Sequence, residues 1–526
     1  MSDKLKPQSG SGSDPNGGPD EVSRVAQSVG SAQLSDQPSD SAPAKEPPKE
    51  PTKSALKKQA ALKAQQEKKA AKEQELAARR EKEDEHRKTA LEEAKKVVIK
   101  EDPSLPKAIK IEIRQKDPNV IKLRKVQDQG HDGNGPNNPA GTRVKVMGWV
   151  HRLRPQKGVI FVTLQDATFS TLQCVLTGDL VKTYDAMTLT PQTSITIYGE
   201  MWEVPSKQHA PDNRELHADY FKVIGKAPGD KEAYGTVVPP DADPQTLLNN
   251  RHLVIRGETA SAVLKVMDLV LYGFHKTYFD LRFRQLKTPC MVQTQVEGGS
   301  TLFDLQYFGE KAYLTQSSQL YLETGLPAVG NSYCIMPSFR AEKSLTRRHL
   351  SEYTHIEAEL GFIDFDDLLD HLEHTIVSVI EFVMDHPEGG SLVKQLNPDF
   401  KVPERPFMRM SYDDAIEWLN QNRILNEEGQ PHVFGDDIAE AAERRMTDAI
   451  NRPIFLTYFP TEIKSFYMKR AAGDPRTTES VDCLMPGVGE IVGGSMRIEG
   501  YDELLAGYAR EKINPRAYYW YTDQRK

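Results

Sequence analysis

FRAEKSLTRRHLSEYTHIEAEL, residues 339–360, is the stretch on which the fold and the chemistry of this chain turn. Arg340 and Glu342 alternate on one face of an expected strand. A polar loop follows with Arg347, Arg348 and His349, and a second expected strand carries Glu352, His355, Glu357 and Glu359. Charges inside a sheet are costly unless they meet partners or ligands. A strand–loop–strand that offers guanidinium groups suits a polyphosphate, which arginine grips with paired donors. A surface hairpin laced with salt bridges would explain an isolated Arg-x-Glu, but not charge of this density over 22 consecutive residues.

Around this run, helical and strand patterns mix. A helix is expected over about 259–279, followed by RFRQLKTP (282–289) and by strand-like IFLTYF (454–459) and EIVGGSMRI (490–498). Together they predict an α+β region built on an antiparallel sheet, entered through the Pro/Asp-rich hinge VVPPDADPQ (237–245). Before the hinge the period is that of strands: VKVMGWV (144–150), VIFVTL (159–164), TLQCVL (171–176), SITIYGEMW (194–202) and ELHADYFKVI (215–224). Five short strands in so little chain suit a small closed barrel of the OB type, whose face takes up oligonucleotides by stacking bases on aromatic side chains.

The amino-terminal part has a different composition. Residues 1–52 are rich in Ser, Gly, Pro and Asp and cannot bury enough apolar surface to offset the entropy of ordering. Ser54 to about Val98 is made of Ala, Lys, Glu and Gln without a Gly or Pro, which predicts a helical arm. Its leucines are too sparse for a heptad seam. From Lys53 to Lys96 it holds 14 basic and 9 acidic residues, whereas the whole chain carries a net charge of −8. The arm is therefore either a solvated, charge-laced helix or an appendage that adds nonspecific affinity for RNA phosphates.

At 526 residues the chain has room for two or three domains, and its 38% hydrophobic and 27% charged content fits a globular protein with a polar extension. No run of about 18 apolar residues is present. The start MSDKLKPQSG has neither a secretory apolar core nor the Arg-rich pattern of a transit peptide, so the expected address is the cytosol. Cys174, Cys290, Cys334 and Cys483 form no C-x-x-C pair, which excludes a zinc ribbon and reads as free core thiols.

The 339–360 run resembles motif 2 of the class II aminoacyl-tRNA synthetases. RQLKTP, ending at Pro289, resembles motif 1, whose preceding helix and strand form the dimer interface in that class. QVEGGSTLF (295–303) and TQSSQLYLE (315–323) resemble the amino-acid-binding segments of the aspartyl/asparaginyl subgroup, class IIb. SVDCLMPGVGEIVGGSMRI (480–498) resembles its metal- and substrate-binding strand, and GWVHRLR (148–154) fits its barrel. The resemblance covers about residues 141–526. It implies an OB-fold anticodon-binding domain (141–228), a hinge (229–245) and a class II catalytic domain (246–526), and composition places a disordered tail (1–52), a basic helical arm (53–100) and a linker (101–140) ahead of them.

Carried onto this sequence, the resemblance implies that Arg340 binds the ATP α-phosphate and the substrate carboxylate. Glu342 would accept from the adenine amino group, Tyr353 would stack on adenine, and Arg348 and His349, with Leu350 beside them, would line the nucleotide. Glu490, with Asp482, would hold Mg²⁺, since hard carboxylate oxygens suit that ion. Gly493 stands where archaeal aspartyl relatives have a serine, so no metal role passes to it. Glu297 would meet the amino-acid ammonium, and Gln319 and Arg497 would complete the amino-acid site. Aspartyl enzymes usually have a lysine where Leu322 stands here, and losing that cation disfavours a carboxylate substrate. L-asparagine is therefore expected, with aspartate as the alternative. In the barrel, Phe161 would stack on the central anticodon base of tRNA(Asn), Gln173 would contact a base edge, and Arg152 and Arg154 would grip phosphates. Gln165-Asp166 replaces the family's frequent Arg-Asp. The expected reaction forms asparaginyl-adenylate from ATP and then charges tRNA, in a homodimer built through motif 1.

Members of the class close with a glycine-rich motif 3, and no such segment precedes Lys526. That keeps open a second reading, a non-catalytic protein that binds tRNA or dimerises. An asparagine-synthetase-like paralogue is disfavoured because those relatives lack the barrel. The insert 422–448 reads as a loop at its start and receives no function.

Overall fold

The computed structural model describes residues 85–125, 140–204, 209–296, 302–342 and 349–526. The chain divides into two units, residues 1–100 with 178–188, and residues 101–177 with 189–526. In the first, a helix spans 85–94 and the chain is irregular from 97 to 100, so the described part of the expected arm stops short of Val98. The rest of the arm and the whole tail lie outside the described residues. A second, short helix, Tyr184–Met187, is capped by Thr183, whose side chain accepts from Ala186 N. Lys95 Nζ sits 5.6 Å from the Tyr184 ring centroid.

The second unit begins with the barrel. Strands β2 (Arg143–Gln156), β3 (Val159–Gln165), β4 (Thr171–Thr177), β5 (Ser194–Glu203) and β6 (Arg214–Gly225) pair in the order β2-β3-β4-β6-β5, and β2–β5 pairing closes the ring. These are the five strands expected from sequence. Alternate residues point inward, so Val144, Val146, Val162, Leu164, Cys174, Ile195, Ile197 and Leu216 fill an apolar interior.

The stretch expected as linker does more than connect. Strand β1 (Ile109–Lys110) adds in parallel to β2. Ile113 is fully buried, and its N–H donates to Asp166 Oδ2 at 2.5 Å. Arg214 donates to the Gln115 carbonyl at 2.6 Å, and Arg143 reaches Asp219 at 2.8 Å and Glu101 at 3.2 Å. Asp166 also caps its own turn through Thr168 N at 2.9 Å. Asp166, the unchanged member of the Gln165-Asp166 pair, thus anchors the chain at Ile113.

After the hinge, the helix Glu258–Asp280 matches the expected one to within a residue at each end. Strand β7 (Arg284–Gln285) pairs in parallel with β11 (Ser332–Phe339), which forms an antiparallel hairpin with β12 (Glu352–Glu359). Between them, β8 (Met291–Val292), β9 (Asp304–Tyr307) and β10 (Glu310–Leu314) form a small sheet in the order β8-β10-β9. A four-stranded sheet follows: β13 (Met408–Ser411), β14 (Ile454–Thr457), β15 (Ser480–Met485) and β16 (Gly489–Ser495), antiparallel except for β13–β14. Val481, Cys483 and Phe455 pack one face of this sheet against the helix Phe365–Asp385. Ile454, Leu456 and Leu484 pack the other against Tyr412, Ile438, Ala442 and Met446. The insert 422–448 therefore supplies core residues and most of the helix Glu440–Ile450, while its start is irregular as expected.

Candidate active site

The β11–β12 hairpin has two unlike faces. Tyr333, Ile335, Ile356 and Ala358 pack with Tyr278, Phe283 and Phe274 from the 258–280 helix and the turn after it. In the pairing register, Ser338↔Tyr353, Met336↔His355, Cys334↔Glu357 and Ser332↔Glu359 fall on the other face. Of the charged residues expected on the second strand, His355, Glu357 and Glu359 share this face and Glu352 lies on the other. The alternation expected for Arg340 and Glu342 on the first strand is absent: β11 ends at Phe339, so both lie beyond the ladder rather than on it. Arg340 stays aligned because its N–H donates to the Ser351 carbonyl at 3.1 Å. Its guanidinium carbon lies 5.7 Å from the Tyr353 ring centroid. His349 Nε2 is 4.0 Å from Glu342 Oε2, and Leu350 is exposed beside it. Arg347, Arg348 and Glu297 lie outside the described residues.

Deeper on the same face, Ser338 Oγ and His355 Nδ1 are 3.0 Å apart, and His355 Nδ1 is 3.4 Å from Glu357. Glu357 in turn accepts from Ser317 Oγ at 2.5 Å and from Ser318 N at 2.9 Å, which fixes the start of the helix Gln319–Val329. That helix carries Gln319, the buried Leu322 and Glu323. Leu322 is fully buried, so it packs the core.

Strand β16 brings the acidic pair together by an irregularity that sequence does not announce. Cys483 pairs with Val492 but Leu484 pairs with Glu490, so Ile491 is an extra residue in the strand. A bulge shifts the alternation by one. Glu490 is thereby carried to the face of Asp482 and Gly493. A methyl group at Gly493 would sit 3.1 Å from Glu490 Oε1 and 3.5 Å from Asp482 Oδ1, so the two carboxylates converge over the space left by the missing side chain. Lys464 Nζ holds Asp482 Oδ2 at 2.8 Å. Among the described residues no cluster of three or more His, Cys, Asp or Glu could cage a metal. Two carboxylates do fit Mg²⁺, which usually takes one or two of them and completes its shell with phosphates and water.

Two residues past the end of β16, Arg497 joins the two halves. It donates to Glu359 at 3.1 and 3.2 Å and to Ser495 Oγ at 2.7 Å, lies 3.3 Å from Glu323, and stands 5.3 Å from the Tyr467 ring centroid. Burial pushes the Glu359 carboxyl up to about 7, against the pull of Arg497 and with the like charge of Glu323 adding to the rise. Glu323 also takes Gln319 Nε2 at 3.0 Å, Tyr521 OH at 2.8 Å and Arg525 Nη2 at 2.5 Å. Glu323, Lys464, Tyr521 and Arg525 had no role in the sequence reading. The signal for Glu323 was visible, a carboxylate next to Leu322 inside an apolar helical stretch. Its partners Arg497, Tyr521 and Arg525 come from over a hundred residues away and left none.

The barrel face assembles its residues similarly. Phe161 is half-buried directly across from Arg154, whose guanidinium caps its ring at 4.6 Å. Gln173 donates to Glu215 at 2.8 Å, Glu215 lies 2.7 Å from His217, and His217 stacks on Trp202 at 4.4 Å. Arg152 and His151 instead meet Glu258, the first residue of the long helix.

Comparison with known proteins agrees with this architecture. Residues 243–526 match the family of class II tRNA synthetases for D, K and N, residues 144–224 match the OB-fold nucleic acid binding domain, and residues 33–106 match the N-terminal domain of asparaginyl-tRNA synthetase. The chain is 54% identical to the cytoplasmic asparagine–tRNA ligase of Saccharomyces cerevisiae over 430 residues, 82% of this chain and 74% of that one. It is 50% identical to the cytoplasmic human counterpart over 441 residues, 84% and 76% of the two chains. The solved structure of Entamoeba histolytica asparaginyl-tRNA synthetase in complex with asparaginyl-adenylate superposes with a TM-score of 0.69 at 44% identity, covering 77% of this chain and 90% of that one. The charged hairpin, the acidic strand linked to it through Arg497 and Glu359, and the barrel ahead of them are thus those of a class II tRNA synthetase, and the chain belongs to the cytoplasmic asparaginyl-tRNA synthetase family.

Proposed function

We propose that this chain activates L-asparagine with ATP and transfers it to tRNA(Asn) in the cytoplasm, using the residues gathered on the β11–β12 hairpin, on the helix Gln319–Val329 and on and just after β15 and β16. The observation that carries the reading is the Arg497–Glu359 pair, which ties the nucleotide hairpin to the acidic strand. Phosphoryl chemistry of this kind needs no side-chain nucleophile, only positioning and neutralisation of charge.

In this reading Arg340 lies against the α-phosphate and the amino-acid carboxylate, where a fixed guanidinium stabilises the negative charge that grows on the α-phosphate oxygens. Tyr353 offers its face to adenine, Glu342 accepts from the adenine amino group, and Arg348, His349 and Leu350 line the remainder of the nucleotide. Glu490 and Asp482 would hold Mg²⁺, which would supply positive charge to neutralise the phosphates. Lys464 keeps one Asp482 oxygen occupied and so orients the other. Glu297 would receive the ammonium group. A carboxamide side chain both accepts and donates hydrogen bonds, and Arg497 beside Glu323 offers both functions within one cluster. Aspartate would add a negative charge to a cluster in which Glu323 and Glu359 already balance Arg497 and Arg525.

The barrel strip of Phe161, Gln173 and Arg154 would read the anticodon. The helix Glu258–Asp280 leaves Leu264, Met267, Tyr272 and Phe279 exposed, an apolar face of the kind a second copy of the chain would cover. ATP–pyrophosphate exchange, run separately with asparagine and aspartate and followed by charging of tRNA(Asn), tests the function. Exchange with asparagine and charging are expected. Exchange with aspartate alone would reverse the choice of amino acid, and binding of tRNA without exchange would leave the non-catalytic reading.

A further inference from the structure

We propose that Arg525, acting with Tyr521, is a positioning residue for amino-acid selection, because it orients the carboxylate of Glu323 that in turn holds Gln319 and Arg497. The inference rests on the reading that Gln319 and Arg497 face the amino acid.

The geometry of Glu323 divides cleanly between its two oxygens. Oε1 faces the site: it accepts from Gln319 Nε2 at 3.0 Å and lies 3.3 Å from Arg497 Nε. Oε2 faces away from it: it accepts from Tyr521 OH at 2.8 Å and from Arg525 Nη2 at 2.5 Å. A carboxylate rotates about its last bond with little resistance. Held only from the Oε1 side, it would follow Arg497 and Gln319 rather than fix them. The two donors on Oε2 stop that rotation. They are themselves fixed: Arg525 Nε donates to the Ile498 carbonyl at 3.1 Å, its Nη2 donates to Tyr521 OH at 3.1 Å, and its guanidinium stands 4.4 Å from the Tyr521 ring centroid. Tyr521 is fully buried and the Arg525 side chain is 8% exposed, so neither exchanges its bonds for water.

Charge gives the arrangement a second consequence. Arg497 is shared between Glu323 and Glu359. Without Arg525 the cluster holds two carboxylates against one guanidinium. Arg497 would then be drawn further onto its own acids and away from a substrate carbonyl. With Arg525 the cluster is neutral, and Arg497 keeps a donor direction for a neutral amide. Buried charged partners of this sort act through precise orientation, and small misplacements near a reacting centre are amplified in binding and rate.

The test is calorimetric binding of L-asparagine and, separately, of ATP to the full chain and to R525Q, R525K and Y521F. R525Q is expected to weaken asparagine by about tenfold to a hundredfold while ATP affinity moves by less than about twofold. R525K is expected to recover part of the loss because it restores the charge without the paired donors, and Y521F to fall between parent and R525Q. If R525Q does not fold, Y521F, which removes a single hydroxyl, must show the same split between the two ligands. Asparagine affinity unchanged in the variants, or asparagine and ATP weakened alike, would overturn the positioning role. A parent chain that binds no asparagine would instead overturn the function proposed above and this inference with it.

Discussion

Arg340 sits one residue past the end of β11, held by its own N–H on the Ser351 carbonyl rather than by the sheet. That placement lets a charged side chain project from an ordered backbone without burying it in a strand interior. Replacement by alanine is expected to reduce adenylate formation by about 10²–10³-fold, with the barrel's affinity for tRNA unchanged, as measured by exchange and by filter binding. Glu359 makes a pH-dependent prediction. Burial raises its carboxyl to about 7, so below that value it carries a proton and the Glu323–Glu359–Arg497–Arg525 cluster is positive by one. Above it the cluster is neutral. A positive cluster tolerates the side-chain carboxylate of aspartate, and a neutral one rejects it. The preference for asparagine in exchange assays should therefore grow as pH rises from about a unit below to about a unit above that value. E359Q should flatten the profile; a preference that falls with pH would contradict the account.

At the scale of elements, most of what the sequence announced was periodicity. The five barrel strands alternate apolar and polar residues because one face of each is inside a closed ring, and a two-residue period needs no knowledge of the partner strand. The 258–280 helix was legible for the same kind of reason. The extra residue at Ile491 was not, because one inserted residue leaves no mark on composition yet decides which face Glu490 joins. The 101–124 segment was read as linker because it lacks a pattern of its own; its order comes from Arg143, which holds Pro106, and from Asp166 and Arg214, which hold Ile113 and Gln115. Two predictions belong here. G493V fills the space between Glu490 and Asp482 and should raise the Mg²⁺ concentration needed for half-maximal exchange by about tenfold, while KM for asparagine stays put, since the side chain meets the mobile end of Glu490 and not backbone. I113A removes a fully buried side chain from the strap and should cost about 2–4 kcal/mol of stability in urea unfolding; a loss under about 0.5 kcal/mol would mean the strap contributes nothing to the barrel.

For the whole molecule, the family resemblance carried by six segments anticipated both folded regions, because those motifs are the residues that chemistry fixes. It could not anticipate how one region is tied to the other. Glu258, the first residue of the long helix, meets His151 at 3.0 Å and also Arg152 on β2, and Lys265 on the same helix stands 4.3 Å from the Phe169 ring centroid of the barrel's β3–β4 turn. Burial is partial, with Glu258 half exposed, so each bond is worth little alone. Their effect is on orientation: tRNA held at its anticodon by the barrel must present its far end to the site on the hairpin, and a loosened joint spreads that presentation over unproductive angles. Amino-acid activation involves no such span. E258A should therefore leave pyrophosphate exchange unchanged and lower kcat/KM for tRNA charging by about twofold to fivefold, the equivalent of about 0.4–1 kcal/mol. Because Arg152 and Glu258 act as one contact, the double variant R152A/E258A should be no worse than the worse single variant. Additive losses would place Arg152 on tRNA phosphate instead of at the joint, and exchange falling together with charging would show that Glu258 supports the catalytic fold rather than its alignment with the barrel.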